Sequence, residues 1–273
     1  MKWTFQILLF CGGLGCLRAE TTPAPLPETG EIITRFVERM GRSFTNPPPG
    51  VTVHFRTNIT EEFGRNGKVA SREMKVYRIT SGESRRDTEL LTIDGRKPTV
   101  EELEKDRERL KRKRSRESGE ETPDRSRQID AFITLELLSR YLFEVQGREV
   151  INGRPNLIVT FKPGPGERDS DRLVDRVLDR IGGIIWIDEA EYELTRADIR
   201  LREKLNIWGG LLAQLEQLHL QILRTREPDG RWRDQLTEAR FVGRAVARRI
   251  NVRTIDLSSP EETLEEKPQI AAD

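Results

Sequence analysis

Residues 194–205 read LTRADIRLREKL. Small or apolar side chains at every second position alternate there with charged ones. The two sets are Thr195, Ala197, Ile199 and Leu201 on one side, and Arg196, Asp198, Arg200 and Arg202 on the other. Because successive side chains of a β-strand point to opposite faces, this stretch predicts a strand with one apolar and one charged face.

The same period-two alternation recurs along most of the chain. It is found in residues 51–60 and 218–222, and strands are also predicted over 141–150, 156–161 and 232–241. Tight-turn signals of the Asn-Gly and Asp-Gly type, which supply positive φ at low cost, separate several of these segments. The pattern predicts roughly nine or ten antiparallel strands and none of the βα alternation of a dinucleotide-binding fold.

Helical spacing interrupts the strands in a few places. Residues 31–43 place Ile32, Phe36 and Met40 on one face, and 129–138 and 169–181 are also amphipathic. These segments predict helices that cover one face of a large twisted antiparallel sheet. The predicted fold class is therefore mainly β, of the α+β type.

Residues 98–127 differ in kind from the rest. Of the 27 residues from Glu101 to Arg127, 19 are charged, which is typical of a solvated helix that leads into a disordered loop. Lys111 to Arg114 could also meet anionic lipid headgroups. A third interpretation is that this charged helical insertion contacts a partner protein.

The first 19 residues have the layout of a secretory signal. Lys2 precedes a short apolar run that ends at Ala19, and both cysteines, Cys11 and Cys16, lie inside it. Cleavage after Ala19 would leave an exported chain without cysteine. The competing interpretation is lipidation at Cys16 in a loose lipoprotein box over residues 13–16, and no other segment is apolar enough to span a membrane.

The rest of the chain is expected to form one domain over residues 31–257. A flexible leader at 20–30 precedes it, and a disordered acidic tail at 258–273 follows it. Hydrophobic residues make up 35% of the chain and charged residues 34%, which still suffices for one core. Because 47 basic residues balance 46 acidic ones, the chain is not built to bind nucleic acid.

No cluster of chemical groups predicts catalysis. The two histidines, His54 and His219, lie on separate strands, which makes a metal site improbable. Neither a nucleophile elbow nor a phosphate-binding loop occurs. Asp188, Glu189 and Glu191 follow a strand, where acidic residues are ordinary turn formers. We therefore expect no enzymatic activity, no cofactor and no metal.

Two stretches resemble the LolA-like superfamily, which includes lipoprotein carriers, their receptor and envelope-stress regulators of the RseB and MucB type. Residues 141–163, YLFEVQGREVINGRPNLIVTFKP, are similar to its central strand pair. Residues 185–188 followed by 195–201 are similar to its Trp-Ile-Asp strand and the next strand. The resemblance implies an open half-barrel, with helices as a lid over an apolar concave face, in a periplasmic protein.

The leading hypothesis from the sequence is a non-enzymatic periplasmic protein that holds a lipid, an acyl chain or a lipoprotein. The expected ligand-binding residues are Val53, Phe55, Ile59, Phe143, Trp186, Ile199, Leu201, Leu220 and Ile222. The alternative is a protein-interaction or stress-regulatory module, in which the segment 98–127 and the sheet edge meet an envelope protein. The ligand and the oligomeric state stay open.

Overall fold

A computed structural model describes residues 25–45, 52–81, 86–118, 140–165, 173–207, 213–246 and 248–260. The predicted signal segment 1–19 and the predicted helix 129–138 lie outside the described residues, as do residues 20–24 of the leader. The helix predicted over 169–181 is described only from residue 173.

Antiparallel strands form most of the described structure. They are β1 (Thr52–Phe63), β2 (Val69–Ser81), β3 (Arg86–Ile93), β4 (Tyr141–Ile151), β5 (Arg154–Pro163), β6 (Ile181–Asp188), β7 (Leu194–Leu201), β8 (Leu205–Ile207), β9 (Ala213–Arg226), β10 (Trp232–Ala245) and β11 (Arg248–Pro260). All belong to one open sheet in the order β3-β2-β1-β11-β10-β9-β7-β6-β5-β4, with the short β8 paired to β9. The predicted fold class, mainly β with a large open antiparallel sheet, is confirmed.

Three helices accompany the sheet in the described residues: α1 (Thr29–Thr45), α2 (Val100–Ser118) and α3 (Leu173–Leu178). α1 contains the helix predicted over residues 31–43. α2 begins at a capping box, because the Glu102 amide donates to the Thr99 hydroxyl and the Thr99 amide donates to Glu102 Oε2. This cap fixes the residue at which the charged segment becomes helical.

The end of the chain differs from the expectation in one respect. The strand predicted over 232–241 continues to Ala245 as β10, and the chain reverses at Val246 into the further strand β11. The positive φ of 52° at Val246 belongs to this reversal, which the sequence hides because no glycine or asparagine marks it. β11 ends at Pro260, so three residues of the segment expected as a tail belong to the sheet.

A single row of paired residues crosses ten strands. It runs through Val145, Val159, Ile185, Ala197, Ile222, Thr237, Asp256, Asn58, Lys75 and Ile93. Directly paired residues share a face of an antiparallel sheet. Val159 packs beneath α1, whereas Ile93 belongs to the cluster against which Leu103 of α2 packs. Both long helices therefore lie on the same face, called here the helix-bearing face.

The apolar side of the strands changes within the sheet. β5, β6 and β7 turn their buried aliphatic residues to the helix-bearing face, as β9 does Ile222, whereas β1 turns Phe55 and Ile59 to the opposite face. Both β1 side chains are only 8% exposed, and Ile59 lies between Met74 and Ile255. On the helix-bearing face, β1 and its neighbour β11 carry polar groups. For example, the Asn58 amide donates to Asp256 at 3.0 Å. A polar belt thus separates the regions under the two helices.

Close contact between β6 and β7 depends on Gly183. A Cβ at this position would lie 2.0 Å from the carbonyl oxygen of Asp198, far inside van der Waals distance. Gly147, in β4, has no heavy atom within 4 Å of the equivalent position. The two glycines form a matched pair for testing the register.

We expect Gly183→Ala to lower the free energy of unfolding by about 1–3 kcal/mol, because two strands must separate to admit the methyl group. Gly147→Ala should change it by less than about 0.5 kcal/mol. Urea denaturation followed by circular dichroism measures both values. Equal effects of the two substitutions would contradict the register of β6 on β7.

Candidate functional site

α1 closes one end of the helix-bearing face with a packed core. Ile32, Phe36, Val37 and Met40 pack on Leu157, Val159, Ile185, Ile187 and Ala197, and all of these side chains are buried. The cavity beside this helix, about 470 Å³, lies at its polar rim next to Arg35, Glu38 and Tyr192. The apolar surface under α1 is therefore occupied by the chain itself.

A buried carboxylate fixes α1 to the sheet. Glu193 is 2% exposed and lies 2.8 Å from Arg39 Nε of α1 and 2.8 Å from Arg224 Nη1 of β9. Arg35 adds a hydrogen bond to the Tyr192 hydroxyl at 3.1 Å. Separating a buried carboxylate from two guanidinium groups is costly, so this contact opposes movement of α1 away from the sheet.

α2 docks through a small polar network, although its charge density predicted a solvated helix. The Tyr77 hydroxyl donates to Asp106 at 3.1 Å, and Arg109 Nη2 donates to both of these groups. Burial raises the pKa of Tyr77 above its usual range, so the hydroxyl keeps its proton and acts as donor. Leu103 packs on the apolar cluster below. The inner side of α2 is thus ordered against β2 and β3.

A groove of about 610 Å³ lies between α2 and β3. Its apolar surface comes from Leu90, Leu91, Pro98, Leu103 and Leu110. Charged residues line the rest, with Lys97, Arg107 and Lys111 as cations and Asp87, Glu89 and Asp106 as acids. A concave apolar floor with a polar rim of this size is typical of a ligand site. We call it the α2–β3 groove.

β3 is an edge strand, and this sets the chemistry of the groove. Five successive residues of β3, from Asp87 to Leu91, line it. Among the described residues, β2 is the only strand that pairs with β3. In the described part of the chain, the outer edge of β3 therefore presents backbone N–H and C=O groups without a strand partner, up to Ile93, which forms a bridge with Arg96. A ligand in the groove meets leucine side chains and backbone hydrogen-bonding groups together.

The structure distributes the nine residues expected from the sequence over both faces. Five lie on the helix-bearing face: Phe143, Ile199, Leu201, Leu220 and Ile222. Four lie on the opposite face: Val53, Phe55, Ile59 and Trp186. None of the nine lines the α2–β3 groove. Their role in ligand binding stays a prediction.

Trp186 has structural partners in this arrangement. Its indole Nε1 donates to Glu149 at 2.6 Å, and the Arg196 guanidinium lies 4.5 Å from its ring centroid. The side chain is only 8% exposed. These contacts join β4, β6 and β7 on the face opposite α1.

The carboxylates after β6 form a turn, as expected from the sequence. Asp188 accepts hydrogen bonds from Arg154 and from the backbone amides of Ala190 and Glu191. Burial alone would raise the pKa of Asp188, but these hydrogen bonds outweigh it and hold the pKa below its usual range. The group is ionised at neutral pH and stabilises the fold in that form.

We expect Asp188→Asn to lower the free energy of unfolding at pH 7 by about 1–3 kcal/mol. A carboxyl with a depressed folded-state pKa stabilises above its unfolded pKa of about 3.9, and this stability is lost as pH falls through the folded value. The difference from wild type should therefore shrink below about pH 4 in urea titrations.

Asp234→Asn is the control, because this carboxylate is 63% exposed although it pairs with Arg224. Its effect should stay under about 1 kcal/mol at every pH. A pH-independent loss in Asp188→Asn would contradict the ionised role of Asp188.

The described residues hold no group of three or more His, Cys, Asp or Glu side chains arranged to bind a metal ion. His219 Nε2 lies 3.1 Å from Asp198 Oδ1, with Gln221 on the other oxygen of the same carboxylate. In the described part of the chain, no helix has both the length and the apolar character needed to cross a membrane.

Neither a protein-family model nor a curated protein matches the chain. Several solved structures match it. One is described as an outer membrane lipoprotein-sorting protein domain from Vibrio parahaemolyticus, with 12% identity, a TM-score of 0.31, and coverage of 88% of this chain and 96% of that one. A LolA superfamily protein from Nitrosomonas europaea has 9% identity, a TM-score of 0.28, and coverage of 83% and 91%.

The MucB protein from the MucA/MucB complex of Pseudomonas aeruginosa also matches. It has 11% identity, a TM-score of 0.23, and coverage of 84% of this chain and 99% of that chain. The chain is similar to LolA-superfamily and MucB structures. The functions named for those proteins are not assigned to this chain on the basis of these matches.

Proposed function

We propose that this chain is an exported, non-enzymatic binding protein whose α2–β3 groove takes an extended segment of an envelope protein. The observation that supports this most is the edge strand β3, which lines the groove with five successive residues. Strand addition to such an edge satisfies the backbone groups of both chains. Leu90 and Leu91 would then contact side chains of the bound segment.

The charges around the groove fit the same occupant. Lys97, Arg107 and Lys111 lie on or beside α2, and Asp87 and Glu89 lie on β3. A polypeptide can carry side chains of both signs at matching positions, so a rim of mixed charge adds specificity. The docked position of α2, held by Asp106, keeps the groove formed before the ligand binds.

A second candidate is the acyl chain of a lipid or lipoprotein, in the same groove or on the apolar residues expected from the sequence. Five apolar residues line the groove, and this favours an apolar chain. The backbone groups of the β3 edge oppose it, because an acyl chain would remove them from water without offering hydrogen bonds. The extended polypeptide is therefore the better fit.

Binding assays separate the two candidates. Linear peptides selected from a random phage-displayed library against the purified chain provide the polypeptide probe, and palmitate and lysophosphatidylglycerol provide the acyl probes. Leu91→Glu combined with Leu110→Glu should weaken peptide binding at least about tenfold, because two charges enter the apolar floor. Leu142→Glu is the matched control, since Leu142 is 50% exposed on β4 at the other edge of the sheet.

Hydrogen exchange then reports the mode of binding. A peptide added as a strand should slow amide exchange within residues 88–91, whereas an acyl chain should leave these amides unchanged. Acyl binding that the double variant abolishes would favour the second candidate. Peptide binding that is equally weakened by Leu142→Glu would contradict the groove as the site.

A further inference from the structure

Two neighbouring hairpins project from one end of the sheet. The first joins β1 to β2 through residues 64–68, and the second joins β10 to β11 around Val246. Glu62 pairs with Val252, so the two hairpins extend side by side beyond the last pair of β1 and β11. Residues 64–69, 244–246 and 248–250 are called here the basic tips.

The basic tips contain cations and no carboxylate. The cations are Arg65, Lys68, Arg244, Arg248 and Arg249, and all five are exposed. Arg65, Lys68, Arg248 and Arg249 form no ion pair with another residue that the structure describes. At the opposite end of the sheet, arginines such as Arg154 and Arg226 are paired with acids. Four cations without an ion pair to a described residue therefore lie together at this end of the sheet.

Exposed aliphatic side chains lie among these cations. Val246 is 70% exposed, Val69 is 49% exposed and Ile250 is 40% exposed. A cluster of exposed apolar and basic side chains marks a surface that meets something outside the chain.

The backbone at Val246 is the second sign of such a contact. A β-branched residue with φ of 52° is strained, because its Cβ crowds the backbone there. Other turns of this chain place Asn152 or Asp94 followed by glycine in the same region, and the β1–β2 hairpin places Gly67 there. Tyr192 also adopts a positive φ, of 55°, but it packs against the core under α1, whereas Val246 is exposed.

We propose that the basic tips dock on the surface of an anionic lipid bilayer. The arginines and the lysine would bind lipid phosphates, while Val246 and Ile250 enter the boundary between headgroups and acyl chains. Nucleic acid would also attract the cations but would leave the aliphatic side chains in water. The inference uses no residue of the α2–β3 groove, so it does not depend on the proposed function.

Vesicle co-sedimentation of the purified full chain tests this docking. We expect binding to vesicles of phosphatidylglycerol and phosphatidylcholine in a 1:3 ratio, weaker binding at high salt, and little binding to pure phosphatidylcholine. Arg248→Gln with Arg249→Gln should weaken binding about 25-fold, because each cation near an anionic surface contributes about fivefold. No binding to the anionic vesicles would overturn the proposal.

Val246→Asn separates membrane contact from folding. Asparagine tolerates a positive φ, so the melting temperature should stay the same or rise, while vesicle binding falls about tenfold. Ile250→Ser is a second variant in the same patch. Val150→Asn is the matched control, since Val150 is 71% exposed at the opposite end of the sheet and should leave binding unchanged.

Two further results would contradict the proposal. The double variant Lys105→Gln with Arg107→Gln removes two positive charges from α2, as many as the Arg248 and Arg249 variant removes from the tips. If both variants lose vesicle binding equally, the effect comes from the net charge of the protein and not from the tips. A DNA duplex that competes fully with the vesicles, with no effect of Val246→Asn, would indicate nucleic acid binding instead. The Leu91→Glu and Leu110→Glu variant should bind vesicles normally, so failure of docking and failure of the groove are distinguishable.

Discussion

The antiparallel register across ten strands is the constraint on which the rest of the structure depends. The row from Val145 to Ile93 places the clusters under α1 and α2 on the same face, although they lie at opposite sides of the sheet. A shift by one residue would turn every aliphatic side chain of a strand to the other face. Gly183 supports this register, because only glycine fits where β6 approaches the backbone of β7.

The two helices use this shared face differently. α1 fills the surface beneath it with its own apolar side chains and is tied down by Glu193 between two arginines. α2 supplies few apolar side chains, so it reaches the sheet mainly through Leu103 and the Asp106 network. A helix that packs along one side only leaves a groove beside it, and the edge strand β3 becomes one wall of that groove. The sparse apolar content of α2 is thus the physical origin of the candidate site.

Periodicity in the sequence predicts the elements well and the surfaces poorly. Alternation with period two identified the strands, and the spacing of Ile32, Phe36 and Met40 identified α1, because both patterns are local. Which strands share an apolar face is not local, since it depends on pairing between distant segments. The nine expected ligand residues therefore divide between two faces. The apolar sides of β1 and β9 do not coincide, and β6 places Trp186 on the face opposite its buried isoleucines.

The α2–β3 groove was hidden from the sequence for a related reason. Leu103 and Leu110 are isolated among charged residues, and such a segment is typical of a solvated helix. Contacts between distant segments show that it docks: Tyr77 pairs with Asp106, 29 residues away, and Leu103 packs on the cluster that includes Ile93. The Thr99 and Glu102 capping box was the one local signal that a stable helix begins there.

Site-specific photocrosslinking in the producing cell tests the central claim most directly. A benzophenone side chain replaces Leu110 in the α2–β3 groove in one strain and Leu142 at the opposite edge in another, and crosslinked products are identified by mass spectrometry. The account predicts a defined envelope protein attached through position 110 and no such product from position 142. Products of equal yield from both positions, or none from position 110, would contradict the groove as the binding site.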